Sequence, residues 1–253
     1  MLQSLIRNPI VIIGMHRSGT SMLAQILHRS GVFMGNDFIA YYESNYFQRL
    51  NIHLLKNIRA TWDRPLPTQQ LPAFNEQGFI REYLTLSRKP QYVLALLLQK
   101  RWGWKDPRNT YTLGSWLRLF PGLKVIHIVR NGIDTALSLY DRNMMLQPKT
   151  KWHSDRLVSL SSCFQLWDEY VQQAMHWKAD LQERYLEVRY EDLIKHNDRM
   201  AKQIKEFTGV HVLDSIKLIA NKERAQKDMQ AEMEELKLIA SQNKTFAKLG
   251  YVA

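Results

Sequence analysis

The feature that most constrains this 253-residue chain is an apolar run that leads into a glycine-containing loop. Residues 10–13 are all β-branched and predict a buried strand that ends at Gly14. The loop continues through Gly19, and a helix is predicted to begin at Thr20 or Ser21. The loop N–H groups and the positive end of the helix dipole then point at one spot, which favours a bound anion.

The loop nearly fits the nucleoside-triphosphate pattern G-x-x-x-x-G-K-[ST], with Gly14 and Gly19 at the glycine positions. Thr20 stands where that pattern requires lysine, and the positive charge has moved back to Arg17. Kinases and ATPases use the lysine on the β- and γ-phosphates, so a triphosphate is a poor fit. A small-metabolite kinase with a degenerate loop and an inactive nucleotide-binding module stay open as alternatives.

The segment His16-Arg17-Ser18-Gly19-Thr20-Ser21 resembles the 5′-phosphosulfate-binding loop of the sulfotransferases, a P-loop superfamily. The arginine form of this loop is similar to that of tyrosylprotein sulfotransferases and bacterial relatives, whereas the cytosolic steroid and phenol enzymes usually have lysine. The resemblance implies a parallel-sheet fold and the sulfuryl donor 3′-phosphoadenosine 5′-phosphosulfate (PAPS). It also implies the residues that bind this donor: Arg17, Ser18, Gly19, Thr20 and Ser21.

A second block begins with residues 123–129, which alternate in polarity and predict a strand, followed by a helix over 133–142. It resembles the family's 3′-phosphate motif, in which an arginine and a serine eight positions later hold the 3′-phosphate of PAPS. The resemblance implies these roles for Arg130 and Ser138, and Arg142 falls where the tyrosylprotein enzymes have a further arginine. A fully helical spacer would separate Arg130 from Ser138 by roughly 12 Å, so Arg130 reaches over or the spacer begins outside the helix.

A third block, Lys105-Asp106-Pro107, matches the same motif of tyrosylprotein and many bacterial sulfotransferases. The resemblance implies that Lys105 lies near the transferring sulfuryl group. Pro107 predicts that a strand ends here, since proline cannot continue the ladder. Asp106 either orients a neighbouring basic side chain or caps the next helix.

A fourth block over residues 185–193 predicts a strand that runs into a short helix. It resembles the family segment V-x-Y-E-x-L, which implies that Tyr190 lies beside the nucleotide. The four blocks occur in family order between Val11 and Leu193, while the glycine-rich Arg-Lys-Gly segment of the cytosolic enzymes is absent. The tail around residues 243–248 is a candidate source of other cationic contacts.

Sulfuryl transfer to a hydroxyl or amine requires a group that removes the acceptor proton, and a carboxylate or histidine suits this role. Glu43 is favoured because the tyrosylprotein and heparan-type enzymes use a glutamate shortly after the first helix. Many bacterial relatives have an acidic residue after the phenylalanine of this segment, where this chain has Gln48. Asp37 and His53 therefore stay as rivals.

The expected reaction is an in-line transfer from PAPS that releases its desulfated product PAP. Arg17 and Lys105 are the expected catalytic cations, because they can stabilise the charge that develops on the bridging and sulfuryl oxygens. The transferring group has one negative charge rather than two, and no His/Cys cluster has metal-ligand spacing. We therefore expect no metal cofactor.

The net charge of +11 favours an anionic ligand such as PAPS. Lysines and arginines are dispersed and accompany no recognition motif, so no nucleic-acid partner is expected. The lone cysteine, Cys163, permits no intrachain disulfide and is expected to be a buried apolar residue. The apolar run over 92–98 is too short to span a bilayer, and without a signal peptide the chain is expected to be cytoplasmic, with no membrane segment.

The whole chain, 1–253, is expected to form one α/β domain whose central parallel sheet is flanked by helices, with ligands at the carboxyl edge of the strands. The acceptor stays open among a peptide tyrosine, a carbohydrate, a lipid and a small alcohol, and the oligomeric state stays open as well. A loop near residues 64–72 is a candidate cover for the acceptor. Four tryptophans are candidate walls for an aromatic acceptor: Trp62, Trp102, Trp104 and Trp152. Further helices are predicted over 20–29, 43–56, 74–87, 91–99, 155–178, 198–207 and 222–241.

Overall fold

The computed structural model describes residues 8–66, 78, 101–148, 150, 152–220 and 230–253. Its strands are β1 (Ile10–Ile13), β2 (Gly103–Lys105), β3 (Lys124–Val129) and β4 (Tyr185–Arg189). They form one sheet in the order β2-β1-β3-β4, and every neighbouring pair is parallel. This confirms the predicted α/β fold with a central parallel sheet.

Helices connect and flank the strands, as parallel pairing requires. Those before β3 are α1 (Thr20–Arg29), α2 (Asn45–Asn57) and α3 (Asn109–Leu119). Those between β3 and β4 are α4 (Gly132–Met145) and α5 (Leu160–Leu181). After β4 come α6 (Tyr190–Lys195), α7 (Asn197–Thr208), α8 (Leu213–Ala220), α9 (Gln230–Gln242) and α10 (Lys244–Lys248). Two short 3₁₀ turns occupy Ala40–Tyr42 and Gln182–Arg184.

The central strand β1 is buried along its whole length, because both faces of the sheet are covered. Val11 and Ile13 belong to a core cluster that includes Trp116 of α3 and residues of α5. Ile10 and Ile12 point to the opposite face, where they join side chains of α1, α7 and α8. A third cluster packs α4 and α5 against the C-terminal helices.

Two predicted helix starts are wrong, and each for a local reason. Helix α2 begins at Asn45 rather than Glu43, because the Asp37 carboxylate accepts a hydrogen bond from the Tyr46 N–H and Glu43 stays extended at φ −92°. Helix α5 begins at Leu160 rather than residue 155, because Ser159 forms a capping box with Ser162.

Other predictions fall partly or wholly outside the described residues. These are the helices over 74–87 and 91–99, the loop from residue 67 to 72, and the first part of the helix over 222–241. Cys163 is buried as predicted, and burial raises the pKa of its thiol to about 12. Within the described ranges, no helix is both long and apolar enough to cross a membrane.

Candidate active site

The ends of all four strands bring the predicted site residues to one edge of the sheet. Arg17 follows β1, Lys105 ends β2, Arg130 follows β3 and Tyr190 follows β4. Since the strands are parallel, these four positions share the carboxyl edge, where ligands of open α/β sheets bind.

The loop between β1 and α1 has a backbone that side chains at its glycines would disturb. Gly19 has φ +92°, and a Cβ there would lie 2.5 Å from Cδ2 of Tyr190. Gly14 has φ +137°, and its N–H donates to Thr110 Oγ1 at 3.1 Å. Arg17 is also left-handed, at φ +70°. The loop is therefore held close to both α3 and Tyr190, which a larger residue at Gly19 would prevent.

The loop and the second block meet through Arg17. Its Nε donates to Ser138 Oγ at 3.0 Å, and its backbone oxygen accepts from Arg130 at 3.5 Å. Arg130 also lies 3.5 Å from Asp134 and 4.8 Å from the ring centre of Tyr190. These contacts join four of the predicted donor-binding residues into one cluster.

Arg17 lies between Arg130 and Ser138, the two residues that the sequence predicts to be too far apart along a helix to meet directly. Asn131 caps α4 by accepting hydrogen bonds from the N–H groups of Ile133 and Asp134, so the helix begins at Gly132. Ser138 consequently lies two turns into the helix. Its hydroxyl accepts a hydrogen bond from Arg17, and no hydrogen bond between Ser138 and Arg130 is found among the described residues.

Two buried polar atoms at this edge have no hydrogen-bond partner within the described ranges: the hydroxyl of Ser18 and Nε of Arg130. Buried polar groups are normally paired, and both of these can donate. They fit a ligand that presents oxyanions at this edge. Thr20 is buried, and Ser21 is half-buried at the start of α1.

Lys105 and Glu43 form a buried ion pair. Lys105 Nζ lies 2.9 Å from Glu43 Oε1, and the two side chains are only 1% and 8% exposed. Gln48 donates to Oε2 of the same carboxylate, and Arg108 lies 3.9 Å from that oxygen. Burial lowers the pKa of Lys105, while the Glu43 carboxylate acts in the opposite direction.

Asp106 orients a basic side chain, which was one of its two predicted roles. Its Oδ1 accepts from both the backbone N–H and the guanidinium of Arg108, at 3.0 and 2.9 Å. Its Oδ2 accepts from Asn51 of α2 at 2.9 Å. Burial raises the pKa of Asp106, and the adjacent Arg108 opposes that shift.

Arg108 and Asn51 belong to the site and were missed from the sequence. Arg108 could have been found, since it directly follows the Lys105-Asp106-Pro107 block. Asn51 has no local signal, because its partner Asp106 lies 55 residues away in the chain.

Of the three candidate proton acceptors, Glu43 contacts Lys105. Asp37 accepts the hydrogen bond from Tyr46 that begins α2, and His53 is exposed on that helix. Gln48 stands where many bacterial relatives have an acidic residue, and its side chain donates a hydrogen bond to Glu43.

Arg142 lies in different surroundings from Arg130. Its guanidinium is 5.7 Å from the ring centre of Trp62, and its charge interacts with Tyr41 and Glu43. Burial lowers the pKa of Arg142, and these two residues oppose that change. Arg142 therefore lies on the Glu43 side of the site.

The candidate tryptophans divide into two pairs. Trp104 stacks on Phe47 at 4.0 Å, and both Trp102 and Trp104 are buried in the core, so neither lines an acceptor site. This corrects the expectation from the sequence, because the apolar face of α2 covers both rings. Trp62 is also a core residue, at 8% exposed, but its ring lies 5.7 Å from the guanidinium group of Arg142, and the ring of Trp152 lies 5.7 Å from that of Arg108.

In the described part of the chain, no group of three or more His, Cys, Asp or Glu side chains is placed to hold a metal ion. The cations of the site outnumber its carboxylates, with Arg17, Lys105, Arg108 and Arg130 close to the loop. The arrangement can therefore bind an anionic group and stabilise negative charge that develops on it.

Comparison with known proteins gives one family match. A sequence model described as the sulfotransferase family matches residues 9–214. No curated protein is detectably similar in sequence to this chain.

Solved structures share the fold at low sequence identity. The sulfotransferase domain of the Synechococcus PCC 7002 olefin synthase is 16% identical, with a TM-score of 0.56 over 98% of this chain and 97% of that one. A sulfotransferase from Alicyclobacillus acidocaldarius is 14% identical, with a TM-score of 0.55 over 96% and 95%. The sulfotransferase STF1 from Mycobacterium tuberculosis is 18% identical, with a TM-score of 0.51 over 96% and 77%. At these identities the likeness concerns the fold alone.

Proposed function

The chain belongs to the sulfotransferase family, and from that premise we propose that it transfers a sulfuryl group from PAPS to a hydroxyl or amine and releases PAP. The contact that supports this most directly joins Arg17 to Ser138 at 3.0 Å. It brings the loop expected to bind the 5′-phosphosulfate against the helix expected to bind the 3′-phosphate. A ligand with anionic groups at both ends would bridge this contact.

Arg130 and Ser138 are the proposed partners of the 3′-phosphate, and the Ser18 hydroxyl and the amides through Ser21 those of the 5′-phosphosulfate. The unpaired Nε of Arg130 and the unpaired Ser18 hydroxyl would each gain an oxyanion partner. Tyr190, packed on Gly19 and under Arg130, is proposed to lie beside the nucleotide. Arg142 stays a predicted donor-binding residue, although it lies with Trp62 and Glu43.

Lys105 and Arg17 are the proposed catalytic cations, and Glu43 is the proposed base. When the acceptor oxygen bonds to sulfur, the bond from sulfur to the bridging oxygen breaks, and Lys105 stabilises the charge left there. Glu43 takes the proton of the acceptor. These two side chains pair at 2.9 Å, so the pair would have to open for the acceptor hydroxyl to reach Glu43. No metal takes part in this proposal, and cytoplasmic location and one domain over 1–253 stay predictions.

Calorimetry with PAP and with ATP–Mg²⁺ tests the donor. We expect PAP to bind without metal and ATP to bind much more weakly, because Thr20 replaces the lysine that triphosphates require. Equal or tighter binding of ATP would contradict the proposal and favour the kinase alternative.

Arg130→Ala sharpens this test. It should weaken PAP more than adenosine 5′-phosphosulfate, which lacks the 3′-phosphate, by about 1.5–3 kcal/mol for a lost charge-assisted bond. Arg29→Ala, which removes an exposed arginine from α1, is the matched control and should change neither affinity. An equal loss for both ligands would mean that Arg130 is structural.

PAPS turnover with 4-nitrophenol, a tyrosine peptide, glucosamine and a long-chain alcohol tests the acceptor, with PAP release as the measured quantity. Transfer to any of them supports the enzyme and narrows the acceptor class. PAP binding without any PAPS turnover would favour an inactive nucleotide-binding module.

A further inference from the structure

His16 directly precedes Arg17, and its ring packs edge-on against two aromatic side chains. The ring centres lie 4.8 Å from Trp62 and 6.2 Å from Tyr170. The hydroxyl of Tyr170 donates to the backbone oxygen of Trp62 at 2.7 Å, which fixes these two neighbours relative to each other. Nε2 of His16 is buried and has no hydrogen-bond partner among the described residues. An unpaired buried nitrogen reduces stability, so this one calls for a role in the protein.

The charges that lower the pKa of His16 are four cations of the described residues. They come from four parts of the fold: Arg108 before α3, Arg142 on α4, Lys105 on β2, and Arg17 on the loop. Burial and these charges lower the pKa of His16 well below its usual range, so the ring is neutral. A neutral imidazole has one N–H and one lone pair. Positive charge attracts a lone pair and repels an N–H dipole, and we assign the lone pair to Nε2, the ring nitrogen left without a partner.

The chemistry of the reaction limits what can donate to Nε2. The sulfuryl group and the phosphates of the donor present only oxygens that accept hydrogen bonds, and the cations around the loop suit those. The donor's own O–H and N–H groups are on its ribose and adenine, away from the sulfuryl end, which leaves the reacting O–H or N–H of the acceptor molecule. We propose, resting on the function above, that His16 is an acceptor-binding residue whose Nε2 receives the hydrogen bond of the reacting hydroxyl or amine. Trp62 and Tyr170 form the wall beside it.

This contact gives the acceptor a defined orientation before transfer. The hydrogen bond turns the nucleophilic oxygen or nitrogen toward the cations that hold the sulfuryl group. A hydroxyl has one proton, so it donates that proton to Nε2 in a hydrogen bond on binding and transfers it to Glu43 as the bond to sulfur forms, whereas an amine has a separate N–H for each. His16 gains no proton in the net reaction. The expected acceptor therefore presents its reacting group beside an apolar surface that packs on Trp62.

His16→Phe tests the contact, because it keeps an edge-on ring and removes the nitrogen. We expect PAP affinity by calorimetry to stay within about twofold and Tm to stay equal or rise, since an unpaired buried nitrogen is lost. PAP release from PAPS, with 4-nitrophenol or with water as the acceptor, should fall about tenfold for one lost hydrogen bond. His16→Gln, which retains a hydrogen-bonding side chain, should recover part of this loss.

His28→Phe is the matched control. The His28 ring on α1 also packs edge-on, against Phe38 at 5.2 Å and Tyr42 at 6.2 Å, and its Nδ1 is likewise buried and unpartnered. Arg29 is the one cation that affects its pKa. His28→Phe should alter Tm as His16→Phe does and leave PAPS turnover unchanged.

Three results would overturn the inference. The first is wild-type turnover in His16→Phe, the second is an equal loss of turnover in His28→Phe, and the third is a loss of PAP affinity in His16→Phe that accounts for its whole loss of turnover. Each would remove His16 from the acceptor site and leave the sulfotransferase function in place. If the wild-type protein binds PAP but releases none from PAPS with either acceptor, the proposed function fails and this inference with it. Should His16→Phe not fold, His16→Met also lacks the nitrogen and carries the same expectations.

Discussion

Lys105 and Glu43 depend on each other, because neither charge has access to solvent. Removing one partner of a buried pair leaves the other charge uncompensated, which lowers the free energy of unfolding by about 3–5 kcal/mol. Here Gln48 and Arg108 also contact Glu43, so the carboxylate keeps two partners when Lys105 is lost. Substitutions of Lys105 are therefore expected to fold and to reveal its catalytic role.

Lys105→Met should lower kcat by about 10²–10³-fold and change PAP affinity little, because its charge is needed most as the bridging oxygen becomes negative. Lys124→Met is the matched control. Lys124 is a part-buried lysine at the amino end of β3, and it donates a hydrogen bond to the backbone oxygen of Phe207 at 2.7 Å. Steady-state kinetics and calorimetry separate the two effects. A parallel loss of PAP affinity in Lys105→Met would instead make Lys105 a donor-binding residue.

Glu43→Gln should behave like Lys105→Met and lose the acidic limb of the pH–rate profile, as expected when a base is removed. Since burial lowers the pKa of Lys105, kcat of the wild-type protein should fall at alkaline pH below the usual lysine range. If Glu43→Gln keeps most activity while Asp37→Asn or His53→Ala abolishes it, the base has been misassigned. If all three keep turning over, the single-base mechanism itself is wrong.

At the scale of elements, α4 is the part of the fold on which donor binding most depends. The helix has Ser138 on its second turn, and the residues before its cap place Arg130 against Tyr190. Asn131 accepts two N–H bonds at the start of the helix, and its own N–H donates to Glu191 at 2.8 Å. The cap thus sets the position of both proposed 3′-phosphate partners.

Asn131→Ala should lower the free energy of unfolding by about 0.5–2 kcal/mol, as for other lost N-caps. Ser159→Ala removes the equivalent cap of α5 and should cost a similar amount. Only Asn131→Ala should weaken PAP, because only that helix bears Ser138. Urea unfolding and calorimetry measure the two quantities, and equal PAP affinity in both variants would mean that the cap has no part in binding.

At the scale of the whole molecule, the pH dependence of folding is tied to histidines that the core keeps neutral. His127 lies in β3 and is fully buried, and neither ring nitrogen forms a hydrogen bond with a described residue, although Nδ1 lies 4.0 Å from Oε2 of Glu187. Burial, followed by the charge of Lys178, lowers the pKa of His127 to about 3. The unfolded chain, with an ordinary histidine pKa of about 6.5, binds this proton far more readily.

The contribution of neutral His127 to the free energy of unfolding should therefore be fully present above about pH 6.5. It should fall as pH drops toward 3, with a slope of up to about 1.4 kcal/mol per pH unit from this residue. His16 is shifted in the same direction and adds to the slope. His127→Leu should flatten the profile, whereas His176→Leu, at an exposed position, should not. Urea unfolding at pH 5 and pH 7 measures the difference, and an unchanged slope in His127→Leu would contradict it.

The sequence by itself determined the four blocks, their order and the parallel sheet. These signals are local: β-branched runs prefer strands, and residues such as Gly14 and Gly19 with positive φ mark a loop that few other residues permit. The family match over residues 9–214 agrees with that interpretation. Closeness to the tyrosylprotein enzymes in particular stays a prediction.

Only the tertiary structure decided which side chains meet. Glu43 and Lys105 are 62 residues apart, and Arg17 and Ser138 are 121 apart, so no local pattern specifies either contact. The structure also showed that Trp62 and Trp152, and not Trp102 or Trp104, lie beside arginines of the site. The physical reason is the same in each case. Burial and charge pairing depend on how the strand ends are arranged at one edge of the sheet, whereas the preference of a residue for helix or strand acts only over a few neighbouring residues.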